Sequence, residues 1–236
     1  MSSASKPASG AGFQRAHSAE QKEQRREAIL AAAAELFRER AIADISIGEV
    51  AERAGLAKGS VYRYFATKEE VFLGLLTRDL DVWFDAITAT LRGAGCAASP
   101  ESVASLVVAS LRPRERMLRL LARLSSDIEQ NLSIEAARVF KKWLLDRILA
   151  AGAAFEAALP ALPEGAGARA ILRLDALVSG LWPMAHPVGT MKKVLAAPRM
   201  APLRLDFHGE LEASFAALLA GMSRTCAALR SRPDPA

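Results

Sequence analysis

Residues 45–71 read Ile45-Ser-Ile-Gly-Glu-Val-Ala-Glu-Arg-Ala-Gly-Leu-Ala-Lys-Gly-Ser-Val-Tyr-Arg-Tyr-Phe-Ala-Thr-Lys-Glu-Glu-Val71, and the spacing inside this stretch decides the fold. Ser46 followed three residues on by Glu49 is a capping box: the hydroxyl takes the amide of the first turn and the carboxylate reaches back to the cap. It opens a helix of about two turns whose Ile47, Val50, Ala51 and Ala54 share one face. Gly55 then stands where a helix end needs a left-handed residue. A further short helix is expected over 60–65, and Thr67 with Glu70 forms another box that opens a long helix to about Arg92. Upstream, Ser18 with Gln21 has the same pattern, and Ile29, Ala32, Ala33, Leu36 and Phe37 recur at helical spacing, predicting one amphipathic helix over about 18–40.

Two short helices joined by a tight glycine-containing turn make a helix-turn-helix, whose second helix can enter a DNA major groove. Val61 and Phe65, four apart, point back into a three-helix core. That leaves Ser60, Tyr62, Arg63 and Tyr64 nearer the outer face, all hydrogen-bonding or stacking side chains. Between 53 and 68 there are four basic residues (Arg53, Lys58, Arg63, Lys68) and no acidic one, the distribution that phosphates select. The whole-chain charge of +5 does not carry this argument, because residues 1–70 hold 11 basic and 10 acidic side chains. Local charge identifies the partner where bulk charge does not.

Outside this region the chain still reads as helix. Alanine and leucine supply 79 of the 236 residues, against 26 for valine, isoleucine and threonine together, so an all-α protein of about nine helices without repeats is expected. Ser99-Pro100 reads as a cap with proline at the first helical position, Pro113 divides that segment, and Ser133 caps a helix to about Leu159. After a turn over 160–165, a helix over 166–185 places Ile171, Leu174, Val178 and Leu181 on one face, and Pro183 should kink or end it. Three prolines between 187 and 204 predict an irregular loop, which also carries Lys192, Lys193, Arg199 and Arg204. Asp206 is placed to cap a last helix to about Arg230.

Several classes are excluded. The longest stretch without a charged residue, 176–191, is 16 residues and is broken by Pro183 and Pro187, short of the roughly 20 that span a bilayer. Residues 1–17 lack the apolar core of a secretory signal, so a disordered tail and a cytoplasmic protein are expected, with Lys6 and Arg15 solvated. Cys96 and Cys226 read as free thiols, and with His17, His186 and His208 they offer no metal-ligand spacing. No acid–base pair, nucleophile motif or phosphate loop stands out, so no catalytic residue, metal or cofactor is assigned and an enzyme is the remote alternative.

The string 45–71 closely resembles the DNA-binding region of the TetR family of bacterial regulators, over about residues 22–76. Its Gly-Leu-x-x-Gly-Ser-Val-Tyr-x-Tyr-Phe-x-x-Lys-Glu pattern holds turn, recognition helix and following cap in one register. The resemblance implies a helix-turn-helix domain over 18–68, then a helical ligand-binding and dimerisation domain over 69–236. It implies a homodimer, a double-stranded DNA operator and a small-molecule effector. Carried over by position, it makes Ser46 a hydroxyl near phosphate, and Lys58, Gly59 and Ser60 the groove-facing start of the recognition helix. Lysine suits guanine O6 and N7, and Gly59 permits close backbone approach. Tyr62 and Tyr64 would meet phosphate or a thymine methyl, Arg63 a base edge or phosphate, and Lys68 a phosphate. Tyr64 departs from the histidine frequent at its position, and Gly48 lacks a side chain that some members use on DNA.

For an effector, Phe140, Trp143, Trp182, Met184 and His186 are the candidates, since helices apolar on several faces can line a cavity. The helices over 166–185 and 206–230 resemble in position the family's dimerising pair, with small residues Ala213, Ala216, Ala217, Ala220 and Gly221 allowing close approach. The function expected is a repressor released by ligand. A ligand-dependent activator or corepressor-type regulator would use the same residues.

Overall fold

The computed structural model describes residues 10–95 and 98–230, with side chains described over 20–95 and 98–224. Cys96 lies outside them, as do residues 1–9 with Lys6 and the side chains of Arg15, His17 and Cys226. Among the described residues every regular element is helical. They are α1 (Gly10–Phe37), α2 (Ile47–Arg53), α3 (Lys58–Val61), α4 (Lys68–Gly93), α5 (Pro100–Leu111), α6 (Glu115–Leu121), α7 (Ile134–Ala158), α8 (Ala166–Ala185), α9 (Gly189–Leu195) and α10 (Phe207–Arg230). The chain divides after Leu75 into two compact units.

The N-terminal unit buries Ile29, Leu30, Ala33 and Phe37 of α1 together with Ile42, Ile45, Ile47, Val50, Val61, Phe65, Val71 and Phe72. Phe37 and Phe72 meet at 5.6 Å between ring centres, and the Arg26 guanidinium lies 5.4 Å over the Phe65 ring. Helix α1 starts at Gly10, so the Ser18–Gln21 pattern lies inside it and does not open it. The helix continues without a proline or glycine to stop it after Gly12. The other caps form as spaced. Ser46 accepts from Glu49 N and Glu49 returns to Ser46 N at 2.9 Å. Glu70 N donates to Thr67 Oγ1 at 3.1 Å.

In the C-terminal unit α5, α7, α8 and α10 supply the main packing, with Val103, Val107, Leu111, Phe155, Leu174, Val178, Leu211, Phe215 and Leu219 buried. Phe155 and Phe215 meet edge to face at 6.2 Å. Helices α7 and α8 touch backbone to backbone: a Cβ built on Gly152 would stand 2.6 Å from Ala168 N, and one on Gly167 would collide with the Gly152 carbonyl. Glu156 Oε1 accepts from Gly167 N at 2.9 Å, satisfying an amide at the start of α8.

Ser99 and Ser133 cap α5 and α7 as expected, Gly209 N donates to Asp206 Oδ2 at 3.1 Å, and helix breaks around Pro113. Helix α8 runs from Ala166 to Ala185 as expected, with Pro183 inside its last turn. One expectation is corrected. The segment 187–204 is not irregular, because its prolines bracket rather than interrupt α9, and Pro198 opens a 3-10 turn over Pro198–Leu203. Between α6 and α7 the chain makes a π-helical turn, Leu124–Ile128, and a 3-10 turn, Glu129–Asn131. Counting α3 and α9, the described residues hold ten α-helices where about nine were expected.

Candidate nucleic-acid interface and effector cavity

The turn between α2 and α3 is closed by Gly55 at φ +67°. Gly55 N donates to Glu52 O at 3.0 Å and Leu56 N to Ala51 O at 2.8 Å, the paired bonds that terminate a helix through a left-handed residue. Helix α3 begins at Lys58, earlier than expected from the sequence, and is a single turn. It then tightens: Tyr64 N and Phe65 N both donate to Val61 O, at 2.9 and 3.1 Å. The tightening lets Val61 and Phe65 both enter the core although regular helix ends between them.

Six of the sequence candidates are gathered on this turn. Lys58, Gly59, Tyr62 and Arg63 are exposed, and Ser60 and Tyr64 are half-buried. A Cβ on Gly59 would meet nothing within 4 Å, so its backbone is open to approach from outside. Arg63 Nη2 donates to Ser60 Oγ at 3.0 Å, which aims the guanidinium along the outer face.

The remaining two candidates are engaged inside the unit. Ser46 Oγ accepts from Glu49 N at 3.3 Å and donates to Glu49 Oε2 at 2.8 Å. Arg40 Nη1 donates to Glu49 Oε1 at 2.6 Å, and this bond first, then those from Ser46, hold the Glu49 carboxyl down to about 2. Lys68 Nζ donates to Ile42 O at 2.9 Å, tying the start of α4 to the turn that precedes α2. Arg53 pairs with Glu35 at 2.8 Å. Of the four cations in 53–68, Lys58 and Arg63 therefore stand on the outer face of α3 while Arg53 and Lys68 have partners within the unit. Arg40 was not singled out from sequence; its nine-residue separation from Glu49 has no local signature.

The C-terminal unit holds a cavity of about 60 Å³ lined by residues of α4 to α8 and of the π turn. Its wall is Leu80, Trp83 and Phe84 of α4, Leu111, Met117, Leu121 and Leu124, then Phe140, Leu144 and Ile148 of α7, and Ile171, Leu172, Leu174, Asp175 and Val178 of α8. Phe140 is thus the one sequence candidate for an effector contact that lines it. Trp143 stacks on Phe140 at 5.8 Å and donates Nε1 to Asp81 Oδ1 at 3.3 Å, so it stands beside the wall. Trp182 and His186 lie elsewhere, stacked on each other at 3.8 Å, with His186 Nδ1 3.0 Å from Trp182 O. Met184 is exposed. Asp175 was missed, although it interrupts the apolar face Ile171, Leu174, Val178 and so carried a readable signal. Its Oδ1 is shut off from solvent with no hydrogen-bond partner among the described residues, and burial pushes its carboxyl up.

Among the described residues no helix is long and apolar enough to cross a membrane, and no group of three or more His, Cys, Asp or Glu is placed to hold a metal ion.

Comparison with known proteins agrees with both halves. Over a stretch of 51 residues the chain is 47% identical to the HTH-type transcriptional regulator EthR of Mycobacterium tuberculosis, covering 22% of this chain and 24% of that protein. It is 34% identical over 71 residues to the HTH-type transcriptional activator FasR of Mycolicibacterium smegmatis, covering 30% and 32%. These matches thus span a quarter to a third of the curated relatives. A crystal structure of a TetR-family transcriptional regulator from Mesorhizobium loti superposes with a TM-score of 0.53 at 19% identity, covering 86% of this chain and 96% of that one, which establishes the fold. Residues 29–75 match the family described as bacterial regulatory proteins, tetR family, and residues 77–225 match the tetracyclin repressor-like C-terminal domain. With most of its length accounted for by these two matches, the chain belongs to the TetR family.

Proposed function

We propose that the protein is a cytoplasmic, ligand-responsive repressor that binds a pseudo-palindromic operator as a homodimer. The observation that carries this reading is α3: one helical turn, anchored by buried Val61 and Phe65, that presents Lys58, the open backbone of Gly59, Tyr62 and Arg63 together. Lys58 suits the O6 and N7 acceptors of a guanine, and Arg63 and Tyr62 reach phosphate or a neighbouring base edge. Ser46 contacts phosphate in this reading by exchanging its bond to Glu49, and Lys68 acts by fixing α4 rather than by touching DNA. Exposed Ala213 and Ala217 on α10 and exposed Leu172 on α8 support a partner protomer against those helices.

Two recognition helices in a dimer meet successive major grooves when they lie about 34–36 Å apart, so a ligand that prefers another spacing weakens binding. A hundredfold preference corresponds to about 2.7 kcal/mol of coupling, within reach of a small apolar site with one or two hydrogen bonds. An activator built on the same interface is the second reading, favoured by the activator among the relatives matched.

Fluorescence anisotropy against tiled duplexes from around the protein's own gene, with a scrambled duplex and a salt titration, tests the proposal. Tight binding to one pseudo-palindromic tile at two protomers per site is expected. Equal, salt-labile binding to every tile, or binding as a monomer, would overturn it.

A further inference from the structure

We propose that the cavity in the C-terminal unit takes a compact apolar amine, its hydrocarbon body against Trp83, Phe84, Met117 and Phe140 and its ammonium on Asp175. The inference rests on the reading of the chain as a ligand-responsive regulator and names the chemical class of the effector.

The lining is hydrocarbon and aromatic except for one carboxylate. Asp175 is the charged residue in that lining, and its Oδ1 is shut off from solvent without a donor among the described residues. An ionised carboxyl is acceptor-only, and leaving a buried acceptor unmatched is costly, so a cationic donor from outside the chain is favoured there. The nearest candidates within the chain do not supply one. Lys141 favours the Asp175 charge, but its Nζ is bonded to Glu129 Oε1 at 2.5 Å, and Glu129 opposes the Asp175 charge in turn. The pair leaves little net positive field at the carboxylate. An ammonium supplies the missing charge and up to three donors, whereas a second carboxylate would be repelled and desolvated beside the first.

Size points to a compact ligand. The cavity of about 60 Å³ is well below the roughly 150 Å³ that admits a benzene, so a ligand smaller than benzene is the match. The wall has a segment suited to yielding: Leu124 sits in the π turn and Glu129 in the 3-10 turn that follows, a non-α stretch between α6 and α7 of the kind that recurs at functional sites. Met117, an unbranched and adaptable side chain, is also in the lining.

The test is calorimetric titration and thermal unfolding of the full-length protein at neutral pH with n-propylamine, n-propanol and propionate, on the wild type, Asp175→Asn and Leu121→Trp. In the wild type the amine should bind about tenfold or more tighter than the alcohol, the increment of one charge-assisted bond, and propionate should bind weakest. Asp175→Asn keeps the shape, so it should fold and bind amine and alcohol alike. Leu121→Trp fills the cavity and should abolish binding of both. Equal affinity for amine and alcohol in the wild type, or an amine preference that survives Asp175→Asn, overturns the assignment. Binding is read without DNA, so its failure leaves the operator experiment standing. An amine preference in a protein that recognises no operator would sink the regulator reading and leave the site intact.

Discussion

The two units encode their candidate sites in different ways. The turn between α2 and α3 is specified by residues within a few positions of one another: Ser46 with Glu49, Gly55 with Glu52, Leu56 with Ala51, Val61 with Phe65. The cavity is assembled from five successive helices and the π turn, so most of its contacts join residues far apart in sequence. A site of the first kind is robust to changes elsewhere and fragile to changes in its own few residues. A site of the second kind is sensitive to packing at a distance.

The largest effect is expected at such a distance. Gly167→Ala drives a methyl group into the Gly152 carbonyl, so α7 and α8 must separate at a cost of about 3 kcal/mol or more. Denaturant unfolding should report that loss, and propylamine binding should fail with it. A neutral Gly167→Ala would break the contrast. Next is Lys68→Ala: because Nζ holds the Ile42 carbonyl at 2.9 Å, it should lower stability by about 1–2 kcal/mol. Its operator affinity should fall only as the folded fraction does.

Lys58→Ala is the complement. With Lys58 exposed on α3, operator affinity should drop about tenfold, with an unchanged unfolding midpoint and a shallower salt slope. Ser46→Ala removes a cap and should cost about 1 kcal/mol, read by thermal unfolding. If it weakened DNA binding well beyond that, the hydroxyl would contact phosphate as well as cap α2.

The smallest effects set the two units against each other by pH. Glu49 is held down to about 2 by Arg40 and Ser46. Its contribution is therefore complete above the unfolded carboxyl value of about 4.3 and is lost as pH falls toward 2. Asp175 is pushed up by burial, so its effect runs the other way: stability is favoured below the unfolded value and declines as pH rises through the raised one. Glu49→Gln should flatten the acid limb of a stability–pH curve. Asp175→Asn should raise the midpoint at neutral pH, with the gain vanishing toward about pH 4.

What sequence reading recovered follows the same division. The capping box at Ser46, the caps at Thr67 and Ser99 and the glycine stop at Gly55 were legible because each is a contact between near neighbours; the Glu70 carboxylate, expected to return to Thr67, accepts from Ala66 N at 2.8 Å. The Ser18 pattern failed because a capping box is permitted, not required, to end a helix on its N-terminal side. Lys68 was legible as a cation but not as a clamp, since its partner lies 26 residues away. Phe140 reached the cavity while Trp182 and His186 closed on each other; aromatic residues at helical spacing look alike until the helices that face them are known. Asp175 was legible in principle, as a charge on an apolar stripe.

The backbone contact between Gly152 and Gly167 works as a keyway. Sliding α7 along α8 by one turn, about 5.4 Å, would bring Ile148 or Glu156 opposite Gly167 in place of Gly152, and neither can enter a gap that rejects a methyl group. Two absent side chains thus index the helices, and with them the height at which Phe140, Leu144 and Ile148 stand across from Ile171 and Asp175. The dimensions of the cavity are therefore gauged by positions that do not line it. A search for altered specificity confined to the cavity wall would overlook the residues that set its dimensions.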